Sequence, residues 1–349
     1  MRHSRNDRAQ TNSEPATFFN QIPDRQVRPR NVALAKFANT TSGFLARHLR
    51  RSFAGRVRNT LKNGLKHICI ERKPLLPRLI PGHQIVGEVL EGATSDLPQG
   101  TRVGVSWMGG TDGDCWYCQH QMENLCDRPV FTGYTVNGGY AEYALVRADF
   151  AYPLPYGLDN IHAAPLLCAG IIGFRSLRLA GVAHGERVGL FGFGSSASLA
   201  IAILQAWKCE VYVVTRGDAN RRLAESLGAT WVGGEDDKPP AELDRAITFA
   251  PAGKVVVGAL AALRKGGVVA INAIHLDQMP AFDYDKLLWG ERQIRSVANM
   301  TRQDARDFLQ LAHELGIRPK ATVFSLDDAN QALLSVKEET RHGSAVIVP

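Results

Sequence analysis

Three cysteines stand within twelve positions, at Cys115-x2-Cys118-x7-Cys126, and Asp112 lies three residues before the first of them. Three thiolates gathered on one compact loop form the soft ligand set that zinc prefers, and a carboxylate from Asp112 could complete a tetrahedron. The alternative is three reduced cysteines packed beneath a loop, a use that rarely has this spacing. His120, inside the same stretch, reads as a surface residue. A second group of residues suits an anion rather than a metal: Gly192-Phe-Gly194-Ser-Ser-Ala197. Gly192 permits a tight turn, Gly194 lets backbone N–H groups approach a pyrophosphate, and small Ala197 lets a helix lie close on a strand. The string alone is a weak signal, and a turn that needs small residues only for packing is the other reading.

The surrounding elements decide between those readings. An apolar run at 188–191 precedes the glycines, helix formers continue to Trp207, and a second apolar run follows at 211–214. Strand, glycine turn, helix and strand then repeat: helix at 218–227, strands at 230–232 and 244–249, helix at 254–264, strands at 268–271 and 293–297, helix at 302–315. Such alternation predicts an α/β fold with a parallel sheet covered by helices on both faces. Upstream, alternation over 79–89 and again over 100–105 predicts half-buried strands, and another short strand is expected over 138–146. Asp159 is placed to cap a helix that contains Cys168, a residue that by itself reads as a core thiol. The tail adds a strand at 321–324, a helix at 326–337 and a last strand at 345–348.

Length and composition set the outer limits. With 349 residues the chain can form two cored domains, and 45% apolar with 21% charged content is globular. No run of eighteen apolar residues occurs, and the start lacks the apolar core of a secretory signal. The net charge of +7 is unevenly spread: residues 1–80 carry 17 Lys and Arg against four acids, and the remaining 269 carry 24 against 30. The basic character therefore belongs to the first segment, and nucleic-acid binding by the whole protein is not supported. Over residues 1–76 no strand or helix periodicity is sustained. A basic amphipathic helix over 44–65 is conceivable there, as a presequence, as a nucleic-acid or membrane-surface arm, or as sequence outside the working fold.

With these motifs in place, the chain from about Pro77 to Pro349 resembles the zinc-dependent alcohol dehydrogenases of the medium-chain dehydrogenase/reductase superfamily. Pro-Gly-His83-Gln84-Ile-Val-Gly is similar to the family's Gly-His-Glu motif. The cysteine loop is similar to its structural zinc lobe, and Pro165-Leu-Leu-Cys168-Ala-Gly to the segment that carries a catalytic zinc ligand. The resemblance implies a GroES-like β-rich catalytic domain over 77–150 and a doubly wound Rossmann domain over 151–300. It further implies that residues 301–349 supply the last Rossmann helix and then return to the catalytic domain, with 1–76 a non-matching basic segment. It implies a catalytic zinc on His83 and Cys168, with Gln84 beside it, and a structural zinc on Asp112, Cys115, Cys118 and Cys126. Ala273 and His275 would lie beside the nicotinamide. The implied reaction is reversible hydride transfer between a primary alcohol and its aldehyde: zinc supplies the acidity that an alcohol lacks at neutral pH, and NAD(P) takes the hydride. A cytoplasmic homodimer or homotetramer is implied as well.

Three departures accompany the resemblance. Gln84 stands where the family usually has Glu, and Asp112 where it usually has Cys. The Cys-x-Thr/Ser-Asp motif expected about twenty residues before the His is missing from 58–66, and Cys69 lacks the Thr-Asp that should follow it. Residues 1–76 are therefore expected to be foreign to the fold, for instance through an altered reading frame or start. The rival functional reading is a catalytically impaired dinucleotide-binding protein that keeps only its structural zinc. A zinc-free quinone or enone reductase of the same superfamily is a further reading, and the cysteine lobe speaks against it. For the cofactor, Thr215 and Arg216 at the end of the second strand favour NADP, whereas Asp218 could serve as the acid that selects NAD.

Overall fold

The chain is described from a computed structural model, which covers residues 32–36, 79–337 and 343–349. Tyr143–Arg147 (β6), Val32–Lys36 (β1), Ile85–Glu91 (β2), Arg102–Val105 (β3) and Ala151–Pro153 (β7) make a five-stranded antiparallel sheet, in that order. Ile85, Val89, Val103, Val105, Ala144 and Val146 gather into its core, as alternation on one face of a sheet requires. A short ribbon of Met108–Gly110 (β4) and Val130–Phe131 (β5) brackets the loop that holds the cysteines. This part answers to the GroES-like expectation.

Two readings of the sequence need correction here. Residues 1–76 do contribute a strand: β1 pairs antiparallel with both β2 and β6, with Leu34 opposite Leu145 and Ala35 opposite Val89. Five residues, two of them alanine, in a basic stretch give almost no local strand signal, and the pairing comes from neighbours more than fifty positions away. The strand predicted from 79 begins only at Ile85. Residues 81–83 instead form a loop laced to 138–140, with Gly139 N–H donating to Gly82 O (2.9 Å) and Tyr140 N–H to Pro81 O (3.0 Å). The basic amphipathic helix conceived over 44–65 and Cys69 lie outside the described residues.

The second sheet has six parallel strands. They are Arg187–Phe191 (β8), Glu210–Val214 (β9), Trp231–Gly233 (β10), Leu243–Thr248 (β11), Leu263–Ile271 (β12) and Gln293–Ser296 (β13), in the order β10-β9-β8-β11-β12-β13. The order reverses between β8 and β11, which opens a crevice at the carboxyl edge. Both faces are buried. Val188, Leu190, Val211 and Val213 belong to one core, while their neighbours Phe191, Tyr212 and Val214 belong to another across the sheet. The final strands, Ala321–Ser325 (β14) and Ser344–Val348 (β15), pair in parallel with each other and, among the described residues, with no other strand.

The helices in chain order are Trp116–Gln119 (α1), Asn160–Pro165 (α2), Ile171–Ala180 (α3), Ser195–Ala206 (α4), Asp218–Ser226 (α5), Gly253–Ala261 (α6), Tyr284–Leu287 (α7), Arg302–Glu314 (α8) and Ala329–Lys337 (α9). Asp159 caps α2 as expected, accepting from His162 N–H at 3.0 Å. A π-type turn, Leu166–Gly170, joins α2 to α3. The joined run 160–180 is apolar and long enough to cross a membrane by composition, yet Leu166, Leu167, Ile171 and Leu177 sit fully buried in the protein's own core.

One buried carboxylate fixes α8 against α3. Asp304 is 1% exposed; its Oδ2 accepts from Thr301 N–H (2.8 Å), the Thr301 hydroxyl (2.7 Å) and Arg175 (2.5 Å), and its Oδ1 from Arg178 (3.0 Å). Thr301 and Asp304 also complete a capping box for α8. Burial alone would raise the Asp304 pKa, but the bonds from Thr301 and Arg175 outweigh it and hold the carboxyl below its ordinary range. A depressed carboxylate contributes stability that is present above its unfolded pKa and lost as pH falls through the folded one. Asp304→Asn should therefore lower the unfolding free energy by about 3 kcal/mol at pH 7. In denaturant titrations the gap from the parent protein should narrow below about pH 4.

The glycine turn offers a cleaner contrast. Gly192 has φ +92°, and a Cβ there would lie 2.8 Å from Ala250 N; beside Gly194 a Cβ would meet nothing within 4 Å. Gly192→Ala should cost about 1–3 kcal/mol through backbone strain. Gly194→Ala should leave the melting temperature near that of the parent, since a Cβ there meets open space.

Candidate functional site

The loop between β4 and β5 folds its four ligand candidates together. Cys115 precedes α1 and Cys118 lies one turn later, so both thiols emerge on one side; a short 3-10 turn, Glu123–Leu125, then returns the chain to Cys126. The ligand atoms of Asp112, Cys115, Cys118 and Cys126 all lie within 4.8 Å of one another. Zinc at about 2.3 Å from each sulfur requires sulfurs about 3.8 Å apart, a spacing this cluster accommodates. Asp112 Oδ1 accepts from Asp114 and Cys115 N–H, both at 3.1 Å, and Oδ2 receives Arg128 Nε at 3.1 Å. Cys126 Sγ accepts N–H bonds from Asp112 and Arg128, each at 3.4 Å. Burial would raise the Asp112 pKa, but those backbone bonds together with the thiols overcome it and hold the group well below the carboxylate range. Burial pushes the Cys118 thiol the other way, up to about 12. His120 stands outside the cluster, exposed, with Nδ1 2.7 Å from Trp116 O.

This lobe is bolted to the second domain. Glu123, almost fully buried, accepts from Arg302 N–H at 3.0 Å and from its Nε at 3.3 Å. Asn124 donates to Ala298 O and Asn299 donates to Asn124 O, both at 2.9 Å. The Arg302 guanidinium also stacks over Phe150, 5.0 Å from the ring centre.

His83 sits in the loop before β2, in edge contact with Trp107 (centroids 5.2 Å apart). Trp107 is itself stacked on Phe131 at 4.8 Å and on Tyr134 at 5.8 Å, so an aromatic wall adjoins the imidazole. By accessible area His83 is only half-buried, yet protein atoms crowd the ring closely enough that desolvation lowers its pKa to about 4. The ring is therefore neutral at pH 7, the form in which a histidine can ligate a metal. Gln84 Nε2 donates to Pro165 O (3.1 Å) and Ala164 O (3.3 Å). Two carbonyl acceptors fix which end of the amide faces them, since only the nitrogen can donate. The bonds tie the His83 loop to the turn that carries Cys168. Gly170 closes that turn against α8: a Cβ there would lie 2.4 Å from the Phe308 ring. Among the described residues, His83 and Cys168 belong to no cluster of three metal ligands.

At the carboxyl edge of the parallel sheet, Gly192 N–H donates to Val214 O (2.8 Å) and α4 begins without a side-chain cap, leaving its first N–H groups for an anion. Ala197 is fully buried in the core, as close helix–sheet contact demands. Thr215 is buried, Arg216 is exposed, and Asp218 is engaged by Arg221. Ala273 and His275 lie in the loop after β12. Asn272, just before them, donates to Ile172 O (3.1 Å) and lies 2.5 Å from the Ser176 hydroxyl, which pins that loop to α3. Sequence reading missed Asn272, because its partners are about a hundred positions away.

A parallel sheet with its glycine turn at the switch point, joined to a sheet that carries a cysteine-rich metal lobe, defines a dinucleotide-binding metalloprotein. The comparisons make that class specific. Residues 55–156 match the family described as "Alcohol dehydrogenase GroES-like domain", and residues 197–314 match "Zinc-binding dehydrogenase". The first match begins upstream of Pro77, inside the segment read as non-matching. The chain is 44% identical over 278 residues to a probable alcohol dehydrogenase AdhA of Mycobacterium tuberculosis, covering 78% of this chain and 80% of that one. It is 32% identical over 285 residues to an alcohol dehydrogenase of Geobacillus stearothermophilus, covering 79% and 84%. A thermostable alcohol dehydrogenase from Pyrobaculum aerophilum shares the fold, with TM-score 0.73, 22% identity and 92% of each chain covered. The chain belongs to the zinc-containing alcohol dehydrogenases of the medium-chain dehydrogenase/reductase family, and by that membership is an NAD(P)-dependent enzyme.

The Gln84 bridge yields a direct test. Gln84→Glu places a carboxylate against two carbonyls and removes the donor, so unfolding free energy at pH 8 should fall by about 1 kcal/mol. Below about pH 5 the protonated acid can donate again, and denaturation midpoints of variant and parent should converge.

Proposed function

We propose that the chain oxidises a primary alcohol to its aldehyde, and runs the reverse reaction, with NADP as the hydride carrier and His83 and Cys168 as ligands of the reacting zinc. The observation that carries this reading is the Gln84 bridge, which draws the His83 loop onto the segment of Cys168 beside the wall of Trp107, Phe131 and Tyr134. Zinc bound there would supply Lewis acidity for an alcohol that is too weak an acid at neutral pH. The protein's own residues do the rest: neutral His83 offers a lone pair, the aromatic wall excludes water and seats the carbon chain of the substrate, and Gln84 holds the two ligand segments in register. Ala273 and His275 face the nicotinamide, while Gly192, Gly194 and Ala197 admit the pyrophosphate to the start of α4. The structural zinc belongs to Asp112, Cys115, Cys118 and Cys126.

NADP is favoured over NAD because Arg216 is exposed with no carboxylate at ion-pairing distance among the described residues, and the rival acid Asp218 is held by Arg221. Exposed Trp289 and Tyr284 beside the edge strand β13 support a homo-oligomer. The reading extends to a cytoplasmic enzyme.

A second reading keeps the dinucleotide site and the lobe metal but not the reaction. It is favoured by the absence of a third ligand beside His83 and Cys168 among the described residues. Metal analysis paired with hydride-transfer assays separates the two. Close to two zincs per chain with turnover of a primary alcohol is the expected outcome, and His83→Ala should then remove one zinc and abolish turnover. One zinc per parent chain without turnover would establish the impaired form instead.

A further inference from the structure

One ion pair at the carboxyl edge of the parallel sheet has no part in the site described above. Lys254 Nζ lies 2.7 Å from Glu235 Oε1. Glu235 stands two residues beyond β10, and Lys254 is the second residue of α6, in the chain that leaves β11. In the order β10-β9-β8-β11 these strands are three spacings apart, about 14 Å. The two side chains thus meet across the carboxyl ends of β9 and β8, the strands that lead into Arg216 and the glycine turn.

Direct ion pairing in this corner is uneven, with Lys254 paired to Glu235 and Arg216 to no carboxylate among the described residues. Arg216 is exposed and has no carboxylate at ion-pairing distance among the described residues. Lys254 occupies the first turn of α6, where the helix dipole disfavours a cation, and that turn has no acidic residue of its own. Glu235 is the single carboxylate within ion-pairing reach of Lys254 among the described residues, and Lys254, followed more weakly by Arg216, holds its carboxyl below the ordinary range. Two cations thus lean on Glu235, with Asp236 acting on Lys254 only from beyond ion-pairing distance, at the place where the second strand of such a sheet meets the adenosine ribose. A phosphate monoester, with up to two negative charges and three acceptor oxygens, satisfies two cations better than one carboxylate does.

We propose that Lys254, together with Arg216, binds the 2′-phosphate of NADP, and that Glu235 is the counterion Lys254 leaves in order to do so. The inference rests on the NADP reading and names the residues that set the preference. With NAD, which carries a hydroxyl at that position, the Glu235–Lys254 pair stays intact. Discrimination then arises from exchanging a carboxylate for a phosphate, and Glu235 tempers affinity for the phosphorylated cofactor instead of gripping the ribose.

The test uses the full chain and two fragments that need no catalytic metal: 2′,5′-ADP, which carries the phosphate, and 5′-AMP, which does not. Binding is measured by isothermal titration calorimetry, with melting curves as the check on folding. The parent protein should bind 2′,5′-ADP the more tightly. Lys254→Met should weaken 2′,5′-ADP on the order of tenfold and leave 5′-AMP unchanged. Lys254→Arg should restore most of that loss, and Glu235→Gln should tighten 2′,5′-ADP severalfold without affecting 5′-AMP. The salt dependence of 2′,5′-ADP binding should be shallower in Lys254→Met. A parent that prefers 2′,5′-ADP but is indifferent to Lys254→Met would overturn the role of Lys254 and leave the NADP reading standing. Equal binding of the two fragments by the parent would sink the NADP reading itself. Loss of 5′-AMP affinity in Glu235→Gln would make Glu235 a ribose ligand and overturn its role as counterion.

Discussion

The buried carboxylate of Asp304 is the interaction on which the arrangement turns. It is bonded at once to the cap of its own helix and to two arginines of α3, so α8 cannot shift without moving the helix that continues from the Cys168 turn. Two residues before it, Arg302 grips Glu123 of the metal lobe. Phe308, one turn further, fills the space left by Gly170. A single helix thereby sets the separation between the lobe, the turn that bears Cys168 and the parallel sheet. A fully buried charge is costly unless every lone pair is engaged, and here four donors engage it.

What could be read from the sequence was what depends on near neighbours. The glycine turn, the Asp159 cap and the cysteine spacing are local: each places its residues within about a dozen positions, so residue type and interval carry the signal. The alternation of the parallel sheet was legible for a related reason, since strands buried on both faces appear as short apolar runs such as 188–191 and 211–214. Strand β1 was not legible. Its residues have little intrinsic preference for a strand, and only its partners at 89 and 145 make it one. The loop at 81–83 was misread for the converse reason, because alternation continues through it while its backbone is drawn off to 138–140.

The site shows the same division. Sequence spacing brought Asp112 together with three cysteines, and the structure gathers their donor atoms. It could not show that Gln84, a departure from the family's usual residue, reaches two carbonyls eighty positions away. Nor could it show that Glu235 and Lys254 meet, since strand order, rather than distance along the chain, brings them together. Residues that act across the fold are invisible until the sheet topology is known.

The π-type turn at Leu166–Gly170 carries a consequence for how this region can change over time. A wide turn of this kind holds one residue more than the regular helix needs, and it sits between two stretches that are fixed at both ends, α2 by its Asp159 cap and Gln84, α3 by Asp304. Removing that one residue would let the helix run on without the bulge and keep the later side chains close to their present phase, because the wide turn is what absorbs the extra residue. A one-residue change in length is therefore absorbed inside Leu166–Gly170, where it re-aims Cys168 while the helices on either side keep their places, so a shortened descendant would keep this fold and lose this arrangement of the turn.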